Sequence, residues 1–301
     1  MTTDLNSFTS SDSTDDAYEL NIRARSLFQM DNAEFGGFHI RTCIIAGIGF
    51  FTDAYDLFVI NLVSTMLSYV DLFHNGTLSA NIEMGLKMSA ACGTLLGQLA
   101  FGWSADRLGR KKVYGLELSI MIIATIGSAM SSTSFAITTW GSLIFWRFIL
   151  GIGIGGDYPV SAIIASEFAT VNKRGAMVSA VFAMQGFGIL AAAIVSVTTL
   201  AAYKDLIYKD QMYIDRVWRI VLAFGAIPAI LGLYSRITIP ETPRFTMDVL
   251  GDVEQAAHDV STVLKLDDPW TKQSKPVCAI EAPVSTWKDF KEYFSKWENG
   301  K

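Results

Sequence analysis

The chain has 301 residues, of which 51% are hydrophobic and 18% charged, with a formal net charge of −5 and a mean hydropathy of +0.34. No stripe of Lys and Arg is present, so the composition argues against a nucleic-acid-binding protein. Two uncharged runs, 118–146 and 175–203, are longer than the ~20 residues that a helix needs to cross a bilayer. The run 175–203 also lacks the polar stripe of a soluble helix, so we expect a multi-pass membrane protein.

Residues 1–37 are rich in Ser, Thr and Asp and poor in hydrophobic residues, which predicts a disordered segment and not a secretory signal. A transmembrane bundle is predicted over residues 38–240. Its six helices are expected at 38–70, 83–105, 112–132, 137–169, 173–202 and 217–239. A polar loop marked by Asp205, Asp210 and Asp215 is expected between the last two helices.

The distribution of Lys and Arg predicts the orientation of the helices. Basic residues occupy the segments 107–112 and 173–174, whereas the loops 71–82 and 131–136 on the opposite side contain none. Three basic residues after the fifth helix weaken this asymmetry without reversing it. The N-terminus is therefore expected in the cytoplasm, which places the glycosylation sequon at Asn75 outside.

Residues 241–301 are polar and are expected to form a cytoplasmic linker with amphipathic helices near 248–266 and 287–297. Aromatic and lysine residues alternate around the second helix, which suits either a helix in the membrane interface or an ordinary soluble helix. The three cysteines have neither metal-site nor disulfide spacing. No nucleophile–base pair or metal cluster appears, so an enzyme is not expected.

Charged residues fall where the hydrocarbon core should be. Asp53 and Asp56 lie in the first predicted helix, Arg147 and Asp157 in the fourth, and Glu117 near the start of the third. Each charge near the bilayer centre costs ~2.5–3.5 kcal/mol, so the aspartates must be neutral, paired or next to water. Two interpretations remain open: Arg147 neutralises an aspartate as a structural tie, or at least one aspartate carries protons. Glu117 alone could be a capped or snorkelling residue.

Residues 151–156 read G-I-G-I-G-G and satisfy the dinucleotide-binding pattern G-x-G-x-x-G. That pattern requires a preceding strand, but here it lies inside an apolar run. The glycines are more simply explained by close contact between helices, as are Gly93 and Gly97 in the second predicted helix.

Residues 102–112 read G-W-S-A-D-R-L-G-R-K-K and resemble the loop between helices 2 and 3 of the major facilitator superfamily. Residues 240–245, P-E-T-P-R-F, resemble a segment that follows helix 6 in sugar porters and their relatives. The resemblance implies a charge network that opens and closes one side of the transporter. Its members here would be Asp106, Arg107, Gly109, Arg110, Arg147, Glu241 and Arg244.

Within this superfamily, residues 155–162 (G-G-D-Y-P-V-S-A) and 51–58 (F-T-D-A-Y-D-L-F) resemble the phosphate:proton symporters of fungi and plants, and residues 114–118 match the start of their helix 3. The resemblance implies that Tyr158 and Gln185 bind phosphate. It further implies proton-coupling roles for Asp53, Asp56, Asp157 and Glu117.

The resemblance implies an all-α plasma-membrane protein, the six-helix N-terminal bundle (3+3 inverted repeat) of a proton-coupled phosphate symporter. Members of that family have a second six-helix half, which we expect as the missing partner. Protons would be the coupling ion, and no cofactor or metal is expected. The alternatives are a transporter of organic phosphates, organic ions or sugars, or a truncated, receptor-like membrane protein that does not transport.

Overall fold

The computed structural model describes residues 36–70, 79–133 and 137–238, and further along the termini residues 22, 28, 242, 246–247, 252–253, 255, 257–258 and 260. The chain forms two compact units: Asp31–Thr242, and a second made of Met1–Met30 with Pro243–Lys301. Most of the predicted disordered segment 1–37, all of the helix at 287–297 and most of the helix near 248–266 lie outside the described residues.

The described part of the first unit consists of seven α-helices and a 3-10 turn at Val171–Lys173 that precedes α5. The helices are α1 Gly37–Val70, α2 Ala80–Leu108, α3 Arg110–Ala129, α4 Thr139–Glu167, α5 Arg174–Lys209, α6 Tyr213–Phe224 and α7 Ala226–Ile237. Because α2 turns into α3 at Gly109, we call that end of the bundle the Gly109 end.

The first four helices agree with the predicted bounds to within three residues at each end. Helix α5 instead ends at Lys209, seven residues beyond the predicted end at residue 202. The predicted polar loop therefore shrinks to residues 210–212, with Asp205 inside α5 and Asp215 inside α6. The loop prediction was wrong there because exposed polar residues at the end of a long helix do not by themselves terminate it.

The sixth predicted helix is broken into α6 and α7 at Gly225. Pro228 explains the break, because proline has no N–H to donate to the carbonyl of Phe224 and its ring collides with that carbonyl. The Gly225 N–H bonds the Leu222 carbonyl instead, at 3.1 Å. The Val221 carbonyl accepts a hydrogen bond from the Tyr55 hydroxyl of α1 at 2.6 Å, which satisfies a backbone group at the break.

Within the part of the chain that the structure describes, five segments are long and apolar enough to cross a membrane: α1, α3, α4, the 3-10 turn with α5, and α6 together with α7. Helix α2 is the exception, because its many Gly, Ser and Ala residues and the ion pair of Glu83 with Lys87 lower its hydropathy. Its sides differ: Leu86 is buried, whereas Leu99 is 71% exposed. The predicted all-helical, multi-pass bundle is confirmed.

Helices α2 and α4 touch backbone to backbone through four glycines. A Cβ at Gly155 would lie 2.8 Å from the backbone nitrogen of Gln98. A Cβ at Gly97 would lie 2.9 Å from the backbone carbonyl carbon of Ile152. Gly93 and Gly151 are equally crowded by the facing backbone. The glycines of the G-x-G-x-x-G pattern thus allow close helix packing, as the sequence predicted.

Candidate functional site

Tyr158 of α4 and Gln185 of α5 form a hydrogen-bonded pair near the middle of the bundle. The Gln185 amide Nε2 donates to the Tyr158 hydroxyl at 3.0 Å, and both side chains are partly exposed. Phe50 of α1 packs edge-on against the Tyr158 ring with centroids 5.0 Å apart. The two residues that the resemblance assigned to phosphate therefore lie together, with the tyrosine ring held in place.

Asp157, the residue before Tyr158, is fully buried and belongs to an ion-pair network. Its Oδ2 accepts from Nη2 of Arg236 at 2.5 Å, and its Oδ1 accepts a hydrogen bond from the Ser161 hydroxyl. Arg236 Nη1 also donates to Glu117 Oε1 at 3.0 Å. Glu117 has no exposed surface, so the interpretation as a snorkelling residue is wrong.

Asp53 of α1 is buried next to this network. Among the described residues, neither of its carboxyl oxygens has a hydrogen-bond partner. An ionised carboxylate without partners in such a place would be strongly unfavourable. Asp53 is therefore suited to carry a proton.

Asp56 lies one turn further along α1 in a separate cluster. Its Oδ2 accepts from the Thr125 hydroxyl of α3 at 3.0 Å, and its backbone carbonyl accepts from Arg147 Nη1 at 2.5 Å. Gly225, at the break of the sixth span, packs on the Asp56 carboxylate and leaves no room for a Cβ. The aspartate that Arg147 contacts is therefore Asp56 and not Asp157, which is bonded to Arg236.

The loop residues of the predicted charge network lie at the Gly109 end. Arg110 Nη2 is 3.6 Å from both Asp106 Oδ1 and Glu167 Oε1, which links the turn to the end of α4. Arg107 stacks over the Trp103 ring at 4.6 Å. Gly109 has φ 98°, a conformation that favours glycine and allows the sharp reversal between α2 and α3.

Two predicted members of that network, Glu241 and Arg244, lie outside the described residues. A cavity of about 660 Å³ opens at the far end of the bundle between α1, α5 and the turn into α6. Tyr69, Val197 and Tyr208 are among its lining residues, and none of the predicted site residues lines it.

Arg236 is the residue of this ion-pair network that the sequence analysis missed. It falls in the last turn of the predicted sixth helix, where an arginine normally reaches water at the membrane surface. Here its side chain has no exposed surface. The signal that could have identified it is the excess of acids at least five residues from the ends of the predicted helices, where four acids (Asp53, Asp56, Glu117 and Asp157) face a single cation, Arg147. That excess requires a further buried cation.

Residues 42–297 match the family described as sugar (and other) transporter. The repressible high-affinity phosphate permease of Neurospora crassa is 41% identical over 296 residues, covering 92% of this chain and 52% of that protein. The low affinity inorganic phosphate transporter 1 of Petunia hybrida is 46% identical over 256 residues, covering 80% of this chain and 48% of that protein.

Among solved structures, the major facilitator superfamily proton:xylose symporter XylE has a TM-score of 0.65 at 25% identity, over 75% of this chain and 50% of that chain. The xylose transporter XylE from E. coli in a partially occluded inward-open conformation has a TM-score of 0.64 at 24% identity, over 76% and 56%. The chain spans about half the length of the curated relatives it matches. It belongs to the sugar (and other) transporter family of the major facilitator superfamily.

Proposed function

We propose that this chain is the N-terminal half of a plasma-membrane transporter that carries inorganic phosphate together with protons by alternating access. The observation that carries the proposal is the Tyr158–Gln185 pair placed beside the buried acids Asp53 and Asp157. The names of the similar fungal and plant proteins, a phosphate permease and a phosphate transporter, support the substrate.

The Tyr158 hydroxyl and the Gln185 amide suit a phosphate ion that must be bound and then released. Both groups donate hydrogen bonds to anionic oxygens without adding a fixed charge. A hydrogen bond to a charged group contributes ~1.5–3 kcal/mol, which orients phosphate without trapping it. The aromatic contact of Phe50 keeps the Tyr158 ring in one position for this role.

The buried acids provide a route for protons toward the Gly109 end. At 1.5 Å per residue, Asp53 lies about 24 Å, Asp157 about 15 Å and Glu117 about 10 Å along their helices from that end. Because these three carboxyl groups lie at decreasing distances from the Gly109 end, they are suited to pass protons from one to the next. We place the Gly109 end in the cytoplasm, because the basic segments 107–112 and 173–174 lie there.

Coupling follows from the position of Asp157 next to Tyr158. Two like charges ~4 Å apart repel by ~4 kcal/mol at an effective dielectric constant of 20, nearly a thousandfold in affinity. Phosphate therefore binds best once the acids hold protons, and it is expelled after they release them. A second bundle is needed for alternating access, since the substrate site of such transporters lies between two halves.

Phosphate uptake by the full gene product in proteoliposomes tests the proposal. An inward proton gradient should drive accumulation of labelled phosphate, and a protonophore should abolish it. Unlabelled glycerophosphodiesters, organic ions or xylose should compete poorly. Uptake of one of these compounds in place of phosphate would reject the substrate, and the absence of any uptake would reject the transporter.

The Asp157→Asn variant tests the coupling. The neutral amide removes the charge that repels phosphate, so phosphate binding and phosphate–phosphate exchange should persist while uptake driven by the gradient is lost. Binding, exchange and expression level are measured together with uptake. A well-expressed Asp157→Asn protein with full gradient-driven uptake would remove Asp157 from the mechanism.

A further inference from the structure

Arg236 and Arg147 are two fully buried cations among the described residues of the first unit, and Arg236 is the one bonded to acidic side chains. It projects from the last turn of α7 and donates to Glu117 and to the Tyr114 carbonyl of α3, the latter at 3.3 Å. Its Nη2 binds Asp157 of α4 at 2.5 Å, and its guanidinium lies 3.9 Å from the centre of the Tyr114 ring. One side chain thus joins α7 to both α3 and α4.

The charges around Arg236 do not balance. Asp53 faces it from α1, Glu117 from α3 and Asp157 from α4, with the Tyr114 ring as a further neighbour from α3. Three carboxyl groups therefore share one cation, since Arg147 is engaged with Asp56. If all three were ionised, two negative charges would be uncompensated in a buried place, which is strongly unfavourable.

The hydrogen bonds within the cluster distinguish the three acids. Asp157 and Glu117 have direct bonds to Arg236, whereas Asp53 has no hydrogen-bond partner among the described residues. The Arg236–Asp157 contact also lies against α1 at Gly49, where a Cβ would overlap Arg236 Nη2 and Asp157 Oδ2. The absence of a side chain at Gly49 thus makes room for this ion pair.

We propose that Arg236 is the fixed counter-charge of the proton site: it keeps one carboxylate of the cluster ionised and leaves protons to exchange on the other carboxyl groups. This inference rests on the proposed function. Arg236 is a positioning residue, because it acts through the acids and not on phosphate itself. It also makes α7 responsive to the protonation of the cluster, since neutral acids bind an arginine more weakly than carboxylates.

Comparing Arg236→Lys with Arg236→Met distinguishes the effect of the positive charge from the effect of the side-chain shape. The methionine matches the length of the arginine stem without a charge, and the lysine keeps the charge. Arg236→Met should lose gradient-driven phosphate uptake by tenfold or more, whereas Arg236→Lys should stay within about threefold of the unmodified protein. Arg219→Met is the matched control, because Arg219 lies on the same span and pairs with Asp215 at 2.9 Å, away from the cluster. It should leave the proton dependence of uptake unchanged.

A thermal-stability cycle on the purified full gene product provides a measurement that does not depend on transport. Arg236→Met should lower the melting temperature, and adding Glu117→Gln or Asp157→Asn should restore part of the loss, because each removes an acid left without its cation. The inference would be overturned if the melting-temperature changes of Arg236→Met and of the second substitution simply added in both double variants. Equal losses of uptake for Arg236→Lys and Arg236→Met would also overturn it. If the melting temperature is partly restored but the protein transports no phosphate, the proposed function is rejected and the counter-charge role of Arg236 is retained.

Discussion

Single residues in the site are held by different means, and this determines what each substitution should do. Tyr158 is fixed by its ring contact with Phe50 and by the amide of Gln185, so its hydroxyl can be removed without disturbing its packing. Asp157, in contrast, is part of an ion-pair network, and its substitution changes both charge and structure.

Tyr158→Phe should weaken phosphate binding by about tenfold or more, because one hydrogen bond to an anion contributes ~1.5–3 kcal/mol. Folding should be unaffected, since the ring keeps its aromatic contacts. Equilibrium binding of labelled phosphate measures the change. Tyr69→Phe is the control, because Tyr69 is 52% exposed and lies outside the site. Equal affinity of Tyr158→Phe and the unmodified protein would exclude the hydroxyl as a ligand.

The sequence identified Asp157 and Glu117 among the residues of the site, but not Arg236, the cation that binds both. Spacing along a helix shows that Asp53 and Asp56 share a face, and it cannot show which residue of a distant helix they meet. The contact of Arg236 with Glu117 joins positions 119 residues apart. Such a pairing depends on how α3 and α7 pack, which no local pattern determines.

Among the helices, the contact between α2 and α4 depends on glycines at both surfaces. Gly155→Ala should destabilise the protein by about 1–3 kcal/mol, because the added methyl group meets backbone atoms that cannot move aside. Gly102→Ala on α2 is the matched control: nothing lies within 4 Å of the added carbon, and alanine favours a helix interior. Thermal unfolding of the two purified variants measures the difference. Equal melting temperatures of Gly155→Ala and Gly102→Ala would contradict the close contact between α2 and α4.

The helices themselves could be predicted well because long uncharged runs and glycine spacing are local signals. The end of α5 and the break at Gly225 were not predicted. The end of α5 depends on how far the polar end of this helix projects beyond the apolar part of the bundle. The second could have been inferred from Pro228, but its stabilisation by the Tyr55 hydroxyl joins residues 166 positions apart and is a tertiary contact.

On the scale of the whole molecule, the predicted six-helix topology would return the chain to the side on which it started. The Lys and Arg distribution predicts that residue 1 and the segment after residue 240 are both cytoplasmic. Epitope tags at residue 1 and after residue 301 of the chain as given should be protected from external protease in intact cells. Tags in the segment 71–78 should be cleaved in the same cells. Cleavage of either terminal tag would contradict the orientation.

The position of Arg236 late in the chain has a consequence for biosynthesis. The acids Asp157 and Glu117 emerge from the ribosome 79 and 119 residues before the arginine that binds them. During synthesis Asp157 and Glu117 are therefore made before the cation that binds them. The α6 and α7 halves have 12 residues each, about 18 Å, so neither can cross the bilayer without the other. The ion pairs of Arg236 with Asp157 and Glu117 can consequently form only after residue 236 has been made, so a nascent chain that stops earlier carries an incomplete charge cluster.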